Sequence, residues 1–300
     1  HTSMIDGFDF RGANPWNPDL LGIQLPGFLR RLDPDVIHFQ HYVQLGLEWI
    51  HVARKTCPDA RIILMLHEYL ALCHADGQMV LAGAFADPLD GAALDVVALV
   101  GCAVATGVGA VLNTAKVETG STVVVIGCGG VGLSIVQGAR LAGASRIVAV
   151  DLVPAKTDVA LTVGATDAVD ASSLDAVEAV RDLLPDGADY AFDGIGHTST
   201  TEQAIRMLGL GGAAVLVGLP PAGARASFEP LVLTELDGRI LGSNYGSVRP
   251  ARDFPWLVDK YVGGELRLDE LVTARRPLED AADALDQLAT GTVLRTLLIP

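Results

Sequence analysis

The sequence predicts an α/β fold: a doubly wound parallel sheet over residues 94–300, preceded by a smaller α/β segment. Three observations carry this. Beyond residue 100, short apolar runs alternate with helical patterns, most of them stopped by Gly or Pro. The first of these runs leads directly into G-x-G-x-x-G and then a helix. The next run ends on an aspartate nineteen residues beyond the last of those glycines.

Taken in order, strands are expected at Thr122–Ile126, Ile147–Val150, Ala168–Val169, Tyr190–Phe192, Ala213–Val217 and Ile240–Leu241. Helical patterns at Gly130–Ala142, Ala155–Val163, Leu174–Leu184 and Ser199–Leu208 lie between most of them. This repetition is that of a Rossmann sheet, and no solenoid repeat or low-complexity tract competes with it. Upstream the texture differs, because six of the seven histidines precede residue 75. Residues 81–91, rich in Gly, Pro and Asp, read as a connection. The expected partition is therefore 1–80, a junction at 81–93, and 94–300. The uncharged run Val96–Leu112 is short for a membrane span and is broken by Gly101, Gly107 and Gly109, so a buried helix and turn are expected.

In Gly127-Cys128-Gly129-Gly130-Val131-Gly132, Gly127 permits the tight turn, Gly129 lets a pyrophosphate approach the backbone, and Gly132 lets the helix pack on the strand. The helix start after Gly129 supplies N–H groups and positive dipole to phosphates. Asp151 stands where a carboxylate receives the adenosine ribose hydroxyls. It would repel a 2′-phosphate, and no arginine follows it in the next five residues, which favours NAD over NADP. The plainer alternative is an aspartate that only caps the following helix.

An excess of 36 acidic over 21 basic residues, net −15, argues against nucleic acid and anionic membranes as partners. Cys57, Cys73, Cys102 and Cys128 form no C-x-x-C pair and no signal peptide precedes them, so a reducing cytoplasm is the expected setting. Cys128 reads as a small space-filling residue.

Several motifs together resemble the medium-chain, zinc-type alcohol dehydrogenases. Gly101-Cys102-Ala103-Val104-Ala105-Thr106-Gly107-Val108-Gly109-Ala110 is similar to that family's G-C-x-x-x-T-G-x-G-A segment. The resemblance implies that Cys102 is a catalytic zinc ligand and that Thr106 lies near the nicotinamide. It implies contact of Lys156 with the adenosine ribose and of Arg295 with the pyrophosphate. Gly194-Ile195-Gly196, Val217-Gly218-Leu219-Pro220 and Gly242–Ser247 resemble the loops that wall the adenine and nicotinamide pockets. The implied activity is hydride transfer between a small alcohol or aldehyde and NAD, and a homodimer is compatible with it.

The barrel-like catalytic domain with which such dehydrogenases begin has no counterpart here. Residues 30–80 instead resemble a fragment of family-four, GT-B type glycosyltransferases, with an expected strand at Asp35–His41, a helix through Arg54 and a strand at Ala60–Tyr69. No two glutamates are eight apart, so that family's Glu-x7-Glu pair is missing. A catalytic zinc needs three protein ligands, and two usual donors beside Cys102 are absent, so the expected zinc site is incomplete and a buried, inert thiol is the competing reading. His67, Cys73 and His74 are the nearby substitutes, against a hydrogen-bonded strand-end role for His67. Three functional readings follow: an NAD-dependent dehydrogenase, an NAD-binding module without catalysis, and a glycosyltransferase-derived fusion.

Overall fold

The computed structural model describes residues 25–33, 36–39, 47–64, 80–81, 95–290 and 293–299. Its strands, in chain order, are β1 (Val36–Phe39), β2 (Arg61–Leu64), β3 (Val80–Leu81), β4 (Thr122–Ile126), β5 (Arg146–Asp151), β6 (Asp167–Asp170), β7 (Ala188–Asp193), β8 (Leu208–Leu216), β9 (Arg239–Gly242), β10 (Val272–Pro277) and β11 (Arg295–Ile299). They form two sheets, one in each of two compact units.

The larger unit comprises residues 102–253 and 263–271. Its sheet is parallel throughout, in the order β6-β5-β4-β7-β8-β9. Counted within the unit this is 3-2-1-4-5-6, the doubly wound order that reverses beside its first strand. β4 reads Thr-Val-Val-Val-Ile because it lies between β5 and β7 and is covered on both faces, and Val123 to Ile126 are all buried. The helix Gly130–Ala142 is buried along most of its length, as expected for the element that crosses from β4 to β5. The helix Ala176–Leu183 is amphipathic and turns Ala176, Val177 and Val180 into the core. Asp175 caps it by accepting from the N–H groups of Val177 and Glu178, at 2.8 and 3.1 Å.

The six strands expected downstream of residue 100 all appear. β8 begins earlier than its apolar core suggests, at Leu208, through a glycine-rich start with a register shift against β7. The run from Val96 breaks at Cys102, whose φ of −135° and ψ of −76° are not helical. Among the described residues no single helix is long and apolar enough to cross a membrane.

The other unit comprises residues 1–101, 254–262 and 272–300, and its sheet runs β10-β11-β2-β1-β3. β1 and β2 are parallel from Val36↔Arg61 to Phe39↔Leu64, and β3 is antiparallel to β1. β11 pairs with β10 on one side and meets β2 through Leu298↔Leu64 on the other. Strand pairing thus draws the division elsewhere than the expected junction at 81–93, because the last two strands do not join the six-stranded sheet. β11 is buried from Arg295 to Leu298, and such a strand needs neighbours on both edges, which β10 and β2 supply.

At the N-terminal ends of β5 and β6, Arg146 forks onto Asp167 with two 2.8 Å hydrogen bonds and reaches the Leu183 carbonyl at 2.6 Å. The Arg146 guanidinium, assisted by the Thr166 hydroxyl, holds the Asp167 carboxyl below the usual carboxylate range. A depressed value means that the stabilisation is complete above the unfolded-chain value and is lost as the pH falls through the folded one. Asp167→Asn is therefore expected to lower Tm at pH 7, with the difference from the unsubstituted chain shrinking as the pH drops below about 4. Scanning calorimetry across that range checks it, and a difference independent of pH would remove the ion pair from this role.

Candidate dinucleotide site

The candidate site lies along the C-terminal edge of the six-stranded sheet, where β4, β5, β7 and β8 release their loops. Gly127 leaves β4 with φ of +91° and donates its N–H to the Val150 carbonyl at 2.7 Å. A Cβ built on Gly132 would stand 1.6 Å from the Gly127 carbonyl oxygen, so no larger residue fits while strand and helix keep this approach. Gly129 is the N-cap of the helix Gly130–Ala142, in extended conformation and with no side-chain cap. The amides of the first turn, from Gly130 and Val131 onward, are consequently available to an anion outside the chain.

Asp151 ends β5 facing this loop. Its Oδ2 accepts from the Cys128 N–H at 2.6 Å and its Oδ1 from the Val153 N–H at 2.9 Å. Two backbone donors fix the carboxylate, and a carboxylate has about four acceptor positions, so two remain for a ligand. Lys156, half-buried, sits in the first turn of the helix Pro154–Val163. Cys128 is fully buried, with its Sγ 3.7 Å from the Val150 carbonyl. Burial above all, and then the Asp151 carboxylate, push its thiol far up, against a smaller opposing pull from Lys156.

Beyond β4 the edge is walled by the loops after β7 and β8. Ile195 is exposed, yet its Cγ1 stands only 2.4 Å from where a Cβ on Gly127 would be, so it fills the space in front of the first loop glycine. Val217 is buried and Leu219 exposed in the loop after β8. Both loops hang from Asp193, which the sequence reading passed over. Its signal was a carboxylate ending an apolar strand ahead of Gly-Ile-Gly and a threonine-rich helix start.

Cys102 is buried at the kink before the helix Ala103–Gly109, and its carbonyl accepts from the Thr106 N–H at 2.8 Å. Thr106 is half-buried. That helix continues as a π-helical turn, Ala110–Ala115, against which the loop 243–248 is tied. Thr114 Oγ1 lies 2.9 Å from Ser243 Oγ and 2.8 Å from Ser247 Oγ, and Asn113 donates to the Gly246 carbonyl at 3.3 Å. Tyr245 and Ser247 are left-handed there, with φ of 52° and 50°, a cost the surrounding bonds must offset.

Among the described residues no group of three or more His, Cys, Asp or Glu could hold a metal ion. His67, Cys73 and His74 lie outside the described residues. Arg295 belongs to the other unit, buried on β11, where Nη1 donates to the Leu294 carbonyl at 2.9 Å.

The sequence profile of a family described as zinc-binding dehydrogenase matches residues 130–262. The alcohol dehydrogenase class-3 of Oryza sativa subsp. japonica is 41% identical over 211 residues, which is 69% of this chain and 55% of the relative. Over this part, the chain is similar in sequence to the zinc-binding dehydrogenases. A solved zinc-binding domain protein of the alcohol dehydrogenases from Burkholderia ambifaria superposes on the dehydrogenase part with a TM-score of 0.67 at 36% identity, covering 69% of this chain and 56% of that one. A zinc-binding dehydrogenase structure from Sinorhizobium meliloti 1021, bound to NADP, gives 0.63 at 30% identity, with 68% and 59% covered. The chain spans a little over half the length of the curated relatives it matches. These comparisons lend no support to the glycosyltransferase resemblance of residues 30–80.

With its thiol buried and its deprotonation opposed, Cys128 is expected to stay unmodified by iodoacetamide at pH 7.5 in the folded chain and to react in urea. Peptide mapping by mass spectrometry reads this directly, and native-state labelling of Cys128 would mean that the loop opens.

Proposed function

We propose that the larger unit binds NAD and that the chain is the dinucleotide-binding part of an NAD-dependent oxidoreductase acting on an alcohol or aldehyde. The observation that carries this reading is the pairing of an uncapped helix start behind Gly127, Gly129 and Gly132 with Asp151 at the end of the neighbouring strand. The first-turn amides of Gly130 and Val131 hold the pyrophosphate. Asp151 accepts the two adenosine ribose hydroxyls on its remaining lone pairs, and Lys156 flanks the same ribose.

Ile195, Val217 and Leu219 form an apolar wall along the dinucleotide, and Thr106 orients the nicotinamide end. When bound, NAD accepts hydride from an alcohol or, reduced, gives it to an aldehyde. Cys102 is one donor of the three that a catalytic zinc requires. The described residues do not complete that set.

A 2′-phosphate would bring about two negative charges against the Asp151 carboxylate. NADH is accordingly expected to bind at least about tenfold more tightly than NADPH, equivalent to about 1.4 kcal/mol, and Asp151→Ser should narrow that ratio. Fluorescence titration with both nucleotides tests it; equal affinities would take Asp151 out of the ribose site.

We also propose a homodimer. β9 is the outer strand of the six-stranded sheet, and Ile240 on it, with Leu231 and Val232 on the preceding helix Pro230–Glu235, is exposed. A strand edge with no neighbour among the described residues, beside apolar side chains, fits a second copy of itself. Light scattering after size exclusion should give about twice the 31.3 kDa chain mass, and Ile240→Asp should reduce it to one. A monomer at micromolar concentration would exclude the pairing.

A further inference from the structure

We propose that Asp193 is a positioning residue of the dinucleotide site, shaping its apolar wall without touching the ligand. This inference rests on the NAD reading above. Asp193 is the last residue of β7 and is only 1% exposed. Its Oδ1 accepts from the N–H groups of Ile195 and Gly196, both at 3.0 Å, and from the Thr200 hydroxyl at 2.9 Å. Its Oδ2 accepts from the Thr201 hydroxyl at 2.7 Å. Its backbone carbonyl accepts from the N–H groups of Val217 and Gly218, at 3.0 and 2.9 Å.

One residue therefore closes the loop after β7 on itself and hooks the loop after β8 onto it. The two loops then meet without side chains between them. A Cβ on Gly218 would lie 2.1 Å from the Gly196 nitrogen, and one on Gly196 would lie 2.4 Å from the Leu219 nitrogen. Ile195, held two residues beyond Asp193, projects over Gly127. The carboxylate of Asp193 thus sets Ile195 and Gly196, and the loop carrying Val217 and Leu219 follows through the Asp193 backbone carbonyl and the close approach of Gly218 to Gly196.

Chemistry explains why a carboxylate stands there. Water cannot replace it at 1% exposure, and four donors converge on two oxygens. Alanine would leave two backbone N–H groups and two hydroxyls without that acceptor, and the loop must open to water to recover them. Asparagine keeps one oxygen for the two N–H groups, and its NH2 can donate to the Thr201 hydroxyl oxygen. Thr200 retains the His197 carbonyl, already 2.8 Å away. The amide therefore preserves the loop.

The test is NADH titration of the full chain by fluorescence, with Asp193→Ala and Asp193→Asn compared at a temperature where circular dichroism shows them folded. Val177→Ala, a core truncation in the helix Ala176–Leu183, controls for destabilisation alone. Asp193→Ala is expected to weaken NADH binding about tenfold or more, while Asp193→Asn stays within about threefold and Val177→Ala binds as the unsubstituted chain does. Thr201→Val removes one donor, and its expected loss of about threefold is readable even if Asp193→Ala fails to fold. Binding by a folded Asp193→Ala within twofold of the unsubstituted chain, or failing that unchanged binding by Thr201→Val, would overturn the proposal. Equal weakening in Val177→Ala would overturn it too, by reducing the effect to general instability. Absence of NADH binding by the unsubstituted chain would instead overturn the NAD reading, and this inference with it.

Discussion

The approach of the helix Gly130–Ala142 to β4 is the constraint on which the rest of the larger unit depends. The Gly127 carbonyl occupies the place where any side chain at position 132 would begin. That contact brings the helix start over the end of β4, so that the first-turn amides face the edge of the sheet. It also sets how far the loop can lean towards β5, and hence whether Asp151 can accept from the Cys128 N–H. A parallel sheet buried on both faces leaves its strand ends as the main place where backbone donors and carboxylates can meet a ligand.

Two aspartates at those strand ends share a residue type and differ in what their neighbours leave them. Asp151 spends two acceptor positions on backbone N–H groups, is only partly buried, and keeps the remainder for a partner outside the chain. Asp193 is buried and spends its side-chain oxygens on two N–H groups and two hydroxyls. The first suits recognition and the second suits construction. In a chain of net charge −15, what this edge offers an anionic ligand is the amides and dipole at an uncapped helix start, with Lys156 nearby. The glycines matter because they bring that feature within reach.

Much of the larger unit was legible in the sequence because its signals are local. β4 is a continuous β-branched run and β5 an apolar one, the glycine loop sits between a strand and a helix, and the spacing to Asp151 follows from one strand-helix-strand passage. Residues whose roles depend on distant partners were not legible. Asp193 looks like any acid at a strand end until the Thr200 and Thr201 hydroxyls fold back onto it. β10 carries Arg275 and Arg276 and shows no apolar run, so its sheet position comes only from pairing with β11. The expected single body over residues 94–300 overlooked that β11 finds its neighbours in β10 and β2.

The sequence by itself determined the strand-helix order, the glycine loop and the carboxylate that answers it. Each of these is encoded in side-chain periodicity, backbone permissiveness or spacing within some thirty residues. Tertiary structure decided the order of strands across the sheet, the saturation of Asp193, the tying of the 243–248 loop to Thr114, and the membership of the last two strands. The physical reason is common to all four. Whether a buried polar group is satisfied, and which strand edge accepts another, depends on groups far apart in the chain, and those meet only when the whole unit has folded.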